Sequence, residues 1–204
     1  MLTTRRGWQV PEIDAMALDI ILREVNDLQQ ILPRCSDYRT CVQAGGNIGI
    51  WPKTLSGRFS RVFTAEPDHA NYSALIANLE GVENIEIIKG AFGDQPGTGS
   101  MDHIDPTNIG AHQVQEGTDF EILTIDSLKL DDVDLLQLDV EGFEHQAILG
   151  ALDTIQKSWP VIVLELKGLG ERYGFSDEET IRLLEGFGYK IADRIHRDVI
   201  FTRR

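Results

Sequence analysis

The chain has 204 residues, with 19 Lys and Arg against 33 Asp and Glu, a formal net charge of −14. At roughly 150 residues per domain this predicts one domain with an added element or two, and a chain of this length buries about 70% of its unfolded surface without staples. The acidic balance argues against nucleic acid or anionic lipid as a partner, and no stretch reaches the ~20 apolar residues of a membrane helix. Arg5 and Arg6 are followed by Gly7 and Trp8 rather than by the apolar region of a signal peptide, which by default predicts a cytoplasmic location. Cys35 and Cys41 match neither a zinc pair nor a redox motif and are expected as reduced thiols.

From Pro11 onward Ile13, Met16, Ala17, Ile20, Ile21, Leu28, Ile31 and Leu32 recur at three- and four-residue steps. This predicts one amphipathic helix with Pro11 at its first position and Pro33 as its end, an N-terminal helical extension over residues 1–35 ahead of a domain over 36–204. Thereafter short apolar runs alternate with helical patterns: a strand at Arg39 to Val42, a glycine turn, a strand at Arg61 to Ala65, a helix from Asp68 to Leu79 and a strand at Ile85 to Ile88. Such alternation predicts an α/β domain with a mostly parallel sheet covered on both faces. Gly93 to Asp119 has five glycines, two prolines and no sustained period, and is expected as a long functional loop. Strands at Ile122 to Ile125, Val133 to Leu138 and Val161 to Leu166 follow, with a helix between the last two from about Gly142 to Ile155. Ser176 to Glu179 form a capping box, and the tail around Arg197-Asp198 reads as a hairpin.

Three signals carry chemistry. Gln43-Ala44-Gly45-Gly46-Asn47-Ile48-Gly49 stands where a strand gives way to a helix; glycines there let a ligand approach the backbone, and the same pattern serves a tight turn with no ligand. Glu66 ends the next strand about 20 residues on, where a carboxylate can hold both hydroxyls of a ribose or simply cap the following helix. The second glycine of a dinucleotide fingerprint is replaced by Asn47, so the pair of signals points to another adenosine-bearing ligand. Asp139-Val140-Glu141-Gly142-Phe143-Glu144-His145 follows the apolar strand at its carboxyl edge. These acids can serve a metal or stabilise a helix dipole, and no metal is assigned.

These segments, with Phe63 to Asp68, Asn71, Gly90 to Asp94 and Val133 to Gly142, resemble the FkbM-like S-adenosylmethionine-dependent methyltransferases from about Arg39 to Phe201. The resemblance implies a class I, Rossmann-like sheet of seven strands with the last antiparallel. It implies S-adenosylmethionine as cofactor, with Gly45, Gly46 and Asn47 at its methionine end, Glu66 and Pro67 at the ribose, Ala91 and Phe92 at the adenine, and Asp139 beside the methyl group. Gln43 stands where the family usually has Asp; its amide can still bond the cofactor's amino group, with one charge fewer. The implied activity is O-methylation of a hydroxyl on a sugar, glycan or secondary metabolite. Asp139 is the first candidate for a base, ahead of Glu141, His112 and His145, with His103 a second loop histidine able to reach the acceptor. A cofactor-binding fold serving as an interaction module is the alternative, and a homo-oligomer is open.

Overall fold

The computed structural model describes residues 1–14, 17–105 and 107–203. Met16 of the predicted helix and Pro106 of the predicted loop lie outside the described residues. In chain order the elements are β1 (Leu2–Arg5), β2 (Trp8–Pro11), α1 (Ala17–Glu24), α2 (Leu28–Ile31), β3 (Thr40–Ala44), α3 (Ile50–Ser56), β4 (Arg61–Ala65), α4 (His69–Asn78), β5 (Ile85–Ile88), β6 (Gly90–Phe92), β7 (Gly97–His103) and β8 (His112–Glu116). There follow β9 (Phe120–Leu123), β10 (Val133–Leu138), α5 (Glu144–Leu149), α6 (Leu152–Ser158), β11 (Val161–Glu165), α7 (Asp177–Gly186), β12 (Lys190–Ile195) and β13 (Asp198–Thr202).

Seven strands form one sheet in the order β12-β13-β11-β10-β3-β4-β5. From β11 to β5 every pairing is parallel, while β13 runs antiparallel to both β11 and β12, so the sheet is mixed. The central strand β10 is buried throughout, and its alternate side chains serve opposite faces, as a sheet covered on both sides requires. Leu136 and Leu138 pack with Ala147, Ile148, Ile155 and Leu184 from α5 to α7, whereas Leu135 packs with Leu28, Ile31, Leu55 and Phe59 on the other face. Strand order reverses between β3 and β10. The carboxyl ends of these two strands diverge there, and the crevice between them is where ligands bind in open α/β sheets.

The N-terminal segment departs from the predicted single helix. Residues 2–11 form an antiparallel hairpin turning at Arg6 and Gly7, both with positive φ, and Pro11 closes β2 instead of opening a helix. A helix begins later because the Asp14 carboxylate accepts the backbone N–H groups of Ala17 and Leu18, at 2.9 and 3.3 Å. It does not run unbroken to Pro33: α1 and α2 are separated by a 3₁₀ turn at Val25–Asp27, where the Asn26 amide donates back to the carbonyls of Leu22 and Arg23. The segment is bound to the rest of the molecule. Asn78 exchanges two hydrogen bonds with the Gln9 backbone, and Val10, Ala17 and Leu18 share a cluster with Ile48, Ile50, Ala74 and Ile109.

Two further corrections concern helices and loops. The stretch read as one helix from 142 is two, α5 and α6, because the Asp126 carboxylate caps a new start by accepting from the backbones of Asp153 and Thr154. The expected loop at 93–119 is mostly β-structure: β7 and β8 pair as a hairpin and join β6 and β9 in a four-stranded sheet of order β6-β9-β7-β8. Its apolar side chains, Met101 and Val114, pack against Ala91, Phe120 and Phe143, too few positions to show as a period in the sequence. Among the described residues no helix is long and apolar enough to cross a membrane, and both cysteines are free thiols.

Candidate active site

A cavity of about 220 Å³ opens at the carboxyl edge of β3, β4 and β10. Gly45, Gly46, Asn47, Glu66, Pro67, Ala91, Phe92, Asp139, Glu141 and His112, all singled out from the sequence, line it together. The glycine turn is built by close contact. Gly45 and Gly46 both donate to the Ala65 carbonyl at the end of β4, and Gly45, at φ +82°, lies so close to Asp139 that an added Cβ would meet its carbonyl oxygen at 1.9 Å. Asn47 and Glu141, facing each other across the cavity mouth from β3 and β10, are both non-glycine residues in the left-handed region, a conformation that costs energy and clusters at functional sites.

Glu66 is buried, and each of its oxygens accepts one backbone hydrogen bond, from Asn47 at 2.7 Å and from Asp68 at 2.8 Å. Each carboxylate oxygen accepts two hydrogen bonds, so the side facing the cavity keeps acceptor capacity for a pair of hydroxyls. Burial pushes this carboxyl up to about 8 against the opposing pull of the two backbone donors. Beside it Asn71 donates to the Ile109 carbonyl at 2.8 Å, while its own Oδ1 is buried without a hydrogen-bond partner.

The other end of the cavity is a charged cluster. Lys167 Nζ lies 2.8 Å from Glu141 Oε1 and is also ion-paired with Glu165. Asp139 hydrogen-bonds Glu165, and burial together with that neighbour's charge pushes the Asp139 carboxyl well above the usual carboxylate range. Burial raises Glu141 as well, with Lys167 opposing. Glu165 and Lys167, absent from the sequence reading, come from the end of β11 and the turn after it. Their spacing from Asp139 in the chain is long, and only the β10–β11 pairing brings them alongside.

Gln43 is not brought to the cavity. Its amide donates to the carbonyls of Ala44 and Gly45, at 3.1 and 2.9 Å, and accepts from the Thr64 hydroxyl, so it braces the turn from below. His145 is likewise elsewhere: it meets Thr180 Oγ1 at 2.9 Å and stacks on Phe175 with ring centroids 3.9 Å apart. Glu144 accepts from the backbones of Val140 and Gly142, holding the turn after β10. The hairpin tip is tied down over the cavity, since Asn47 and Asn71 both donate to the carbonyl of Ile109, a residue 1% exposed. The N-terminal segment supplies a further wall unforeseen from the sequence, with Ala17, Ile20, Ile21 and Glu24 lining the opening.

An open α/β sheet with one reversed strand, and a cavity at its switch point lined by a glycine turn and two strand-end acids, defines a Rossmann-like methyltransferase domain. The model of the methyltransferase FkbM domain matches residues 43–191, and the chain belongs to that family of S-adenosylmethionine-dependent methyltransferases. Among solved structures, methyltransferase FkbM from Methylobacillus flagellatus superposes with a TM-score of 0.57 at 17% identity, over 95% of this chain and 55% of that one. This chain thus spans little more than half of that relative. Precorrin-6y C5,15-methyltransferase from Geobacter metallireducens gives 0.53 at 13% identity, covering 95% and 92%. SMU.1697c, a methyltransferase from Streptococcus mutans in complex with SAH, gives 0.50 at 9%, covering 92% and 96%. At these identities the likeness is one of fold. Among curated proteins none matches this chain.

Proposed function

We propose that the chain binds S-adenosylmethionine in this cavity and methylates a hydroxyl of a sugar, glycan or secondary metabolite. The observation that carries the reading is the convergence of Glu66, the Gly45 to Asn47 turn and Asp139 on one cavity at the strand-order reversal. The residues fit the group. Glu66 offers acceptors to ribose hydroxyls, Ala91, Phe92 and Phe143 offer an apolar wall to adenine, and the acids around Asp139 offer negative charge to an ammonium and a sulfonium. The unpartnered Oδ1 of Asn71 is one more acceptor awaiting a donor.

When bound, the cofactor supplies an electrophilic methyl group on sulfur. The work left to the chain is alignment, exclusion of water and removal of the acceptor's proton. Asp139 is the catalytic base in this reading. Its raised pKa keeps it neutral while the cavity lacks positive charge, and entry of a cation favours its carboxylate beside the reacting centre. Lys167 holds Glu141 and Glu165 in place around it. Gln43, as a brace of the turn, gives no reason to regard the fold as a module without catalysis.

Titration calorimetry with S-adenosylhomocysteine tests the site. Glu66→Ala removes two charge-assisted acceptors, each worth ~1.5–3 kcal/mol, and is expected to weaken binding at least tenfold; equal affinity in a folded variant removes Glu66 from the site. A panel of hydroxyl and amine acceptors, read by product mass, then tests the O-methyl assignment, which fails if only amines or carbon centres gain the methyl group.

A further inference from the structure

A second group of side chains stands on the cavity wall opposite Asp139. Asp68 is the N-cap of α4, and its two oxygens are used differently: Oδ1 accepts the backbone N–H groups of Ala70 and Asn71, both at 2.9 Å, while Oδ2 receives no backbone donor. That free oxygen faces two imidazoles, His103 Nε2 at 2.8 Å and His112 Nδ1 at 3.4 Å. The imidazoles are a cross-strand pair, directly opposed in the β7–β8 register, with ring centroids 4.3 Å apart. The three ligand atoms lie within 4.8 Å of one another.

An ordinary Asp–His ion pair accounts for His103 only. His112, with a side chain 9% exposed, holds its Nδ1 out of solvent with no hydrogen-bond partner, yet pointed at the same carboxylate oxygen. Two ligand bonds of ~2.1 Å opening at 90–109° separate their donor atoms by about 3.0–3.4 Å, which is the spacing found between Asp68 and His112. We infer that Asp68, His103 and His112 form a site for one divalent cation of the borderline class, such as Zn²⁺ or Co²⁺, with its remaining coordination positions open to the cavity. Two imidazoles and one carboxylate suit that class over the harder Mg²⁺ and Ca²⁺, which prefer all-oxygen shells. His112 lines the cavity beside Asn108, Ile109 and Gly110, so an ion there joins the hairpin to the cap of α4 and presents a Lewis acid toward the space an acceptor enters. The other clustered acids, Asp139, Glu141 and Glu165, differ in that Lys167 already supplies a positive charge among them.

The test uses the full chain stripped with a chelator, titrated with Zn²⁺ by calorimetry and with Co²⁺ by visible absorption. One ion per chain is expected, with a Co²⁺ spectrum showing nitrogen ligation and affinity at least thirtyfold weaker in both His103→Ala and His112→Ala. His103 is half exposed, so its variant should keep the parent melting temperature; Asp68→Asn is avoided because it also removes a helix cap. Failure to bind one ion, or unchanged affinity in the two histidine variants, overturns the site. S-adenosylhomocysteine binding by the same samples is a separate readout, so loss of the metal site with cofactor binding intact would leave the methyltransferase reading standing.

Discussion

Gly45→Ala tests whether the site depends on the contact between the glycine turn and the end of β10. Two costs add. At φ +82° an alanine enters the left-handed region, worth ~1–2 kcal/mol. Its Cβ also falls 1.9 Å from the Asp139 carbonyl oxygen, so the two strand ends must part by roughly 1 Å, and overpacking of that kind costs about 1–3 kcal/mol. Gly81 supplies the control: its φ is +78°, but a Cβ there meets nothing within 4 Å. Both substitutions share the backbone strain and the gain of ~0.4–1 kcal/mol from a stiffer unfolded chain, so their difference isolates the contact. At ~2–4 °C per kcal/mol for a chain of this size, Gly45→Ala should melt roughly 2–12 °C below Gly81→Ala. Because the displaced atoms belong to Asp139, Gly45→Ala should also weaken S-adenosylhomocysteine binding at least tenfold while Gly81→Ala leaves it unchanged. Thermal melts followed by circular dichroism, with calorimetry on both variants, decide the matter. Equal melting temperatures and equal affinities would refute the account of why glycine stands at residue 45.

Asp139→Asn keeps the shape of a carboxyl that the fold already holds largely neutral, so turnover should fall ~10²–10⁴-fold with little change in melting temperature; activity within a fewfold of the parent would place the base elsewhere. Gln43→Asp removes the amide that donates to the Ala44 and Gly45 carbonyls and sets a carboxylate against them, so it should destabilise by about 1–3 kcal/mol, and tighter cofactor binding in an equally stable variant would show that the amide's bracing role is misread. Stability of the cofactor-free chain should decline as pH rises. Burial lifts Glu66 to about 8, and Glu144 and Asp198 to about 7, above unfolded values near 4, so between those limits the folded state binds more protons than the unfolded one. Urea midpoints should therefore fall between pH 5 and 8.5, and a flat or rising profile would contradict the buried-acid account. Asp68 runs the opposite way: burial works to raise it, but His112, the Asn71 N–H and His103 outweigh this and hold it well below the usual range, so its contribution is lost only in strong acid.

The parts of this protein written in local sequence are those that local physics decides. Continuous apolar runs bounded by glycine specify buried parallel strands, which is why β4, β5 and β10 fall where the pattern puts them. The Ser176 capping box likewise needs only its own four residues, and both of its reciprocal hydrogen bonds form. The strand ends place Gly45, Glu66 and Asp139 at one edge, because in a parallel sheet every strand delivers its carboxyl end to the same side. Tertiary structure alone decided the rest. Asp14 and Asp126 start helices through hydrogen bonds, the second reaching across the chain to Thr154. The polar hairpin of β7 and β8 forms because Met101 and Val114 find apolar partners in β6, β9 and the turn before α5, a gain invisible to any window of sequence. Glu165 and Lys167 meet Asp139, and His103 and His112 meet Asp68, only after β11 and the hairpin have taken their places. Electrostatics at the site depend on burial and on neighbours distant in the chain, and both exist only once the strands have paired.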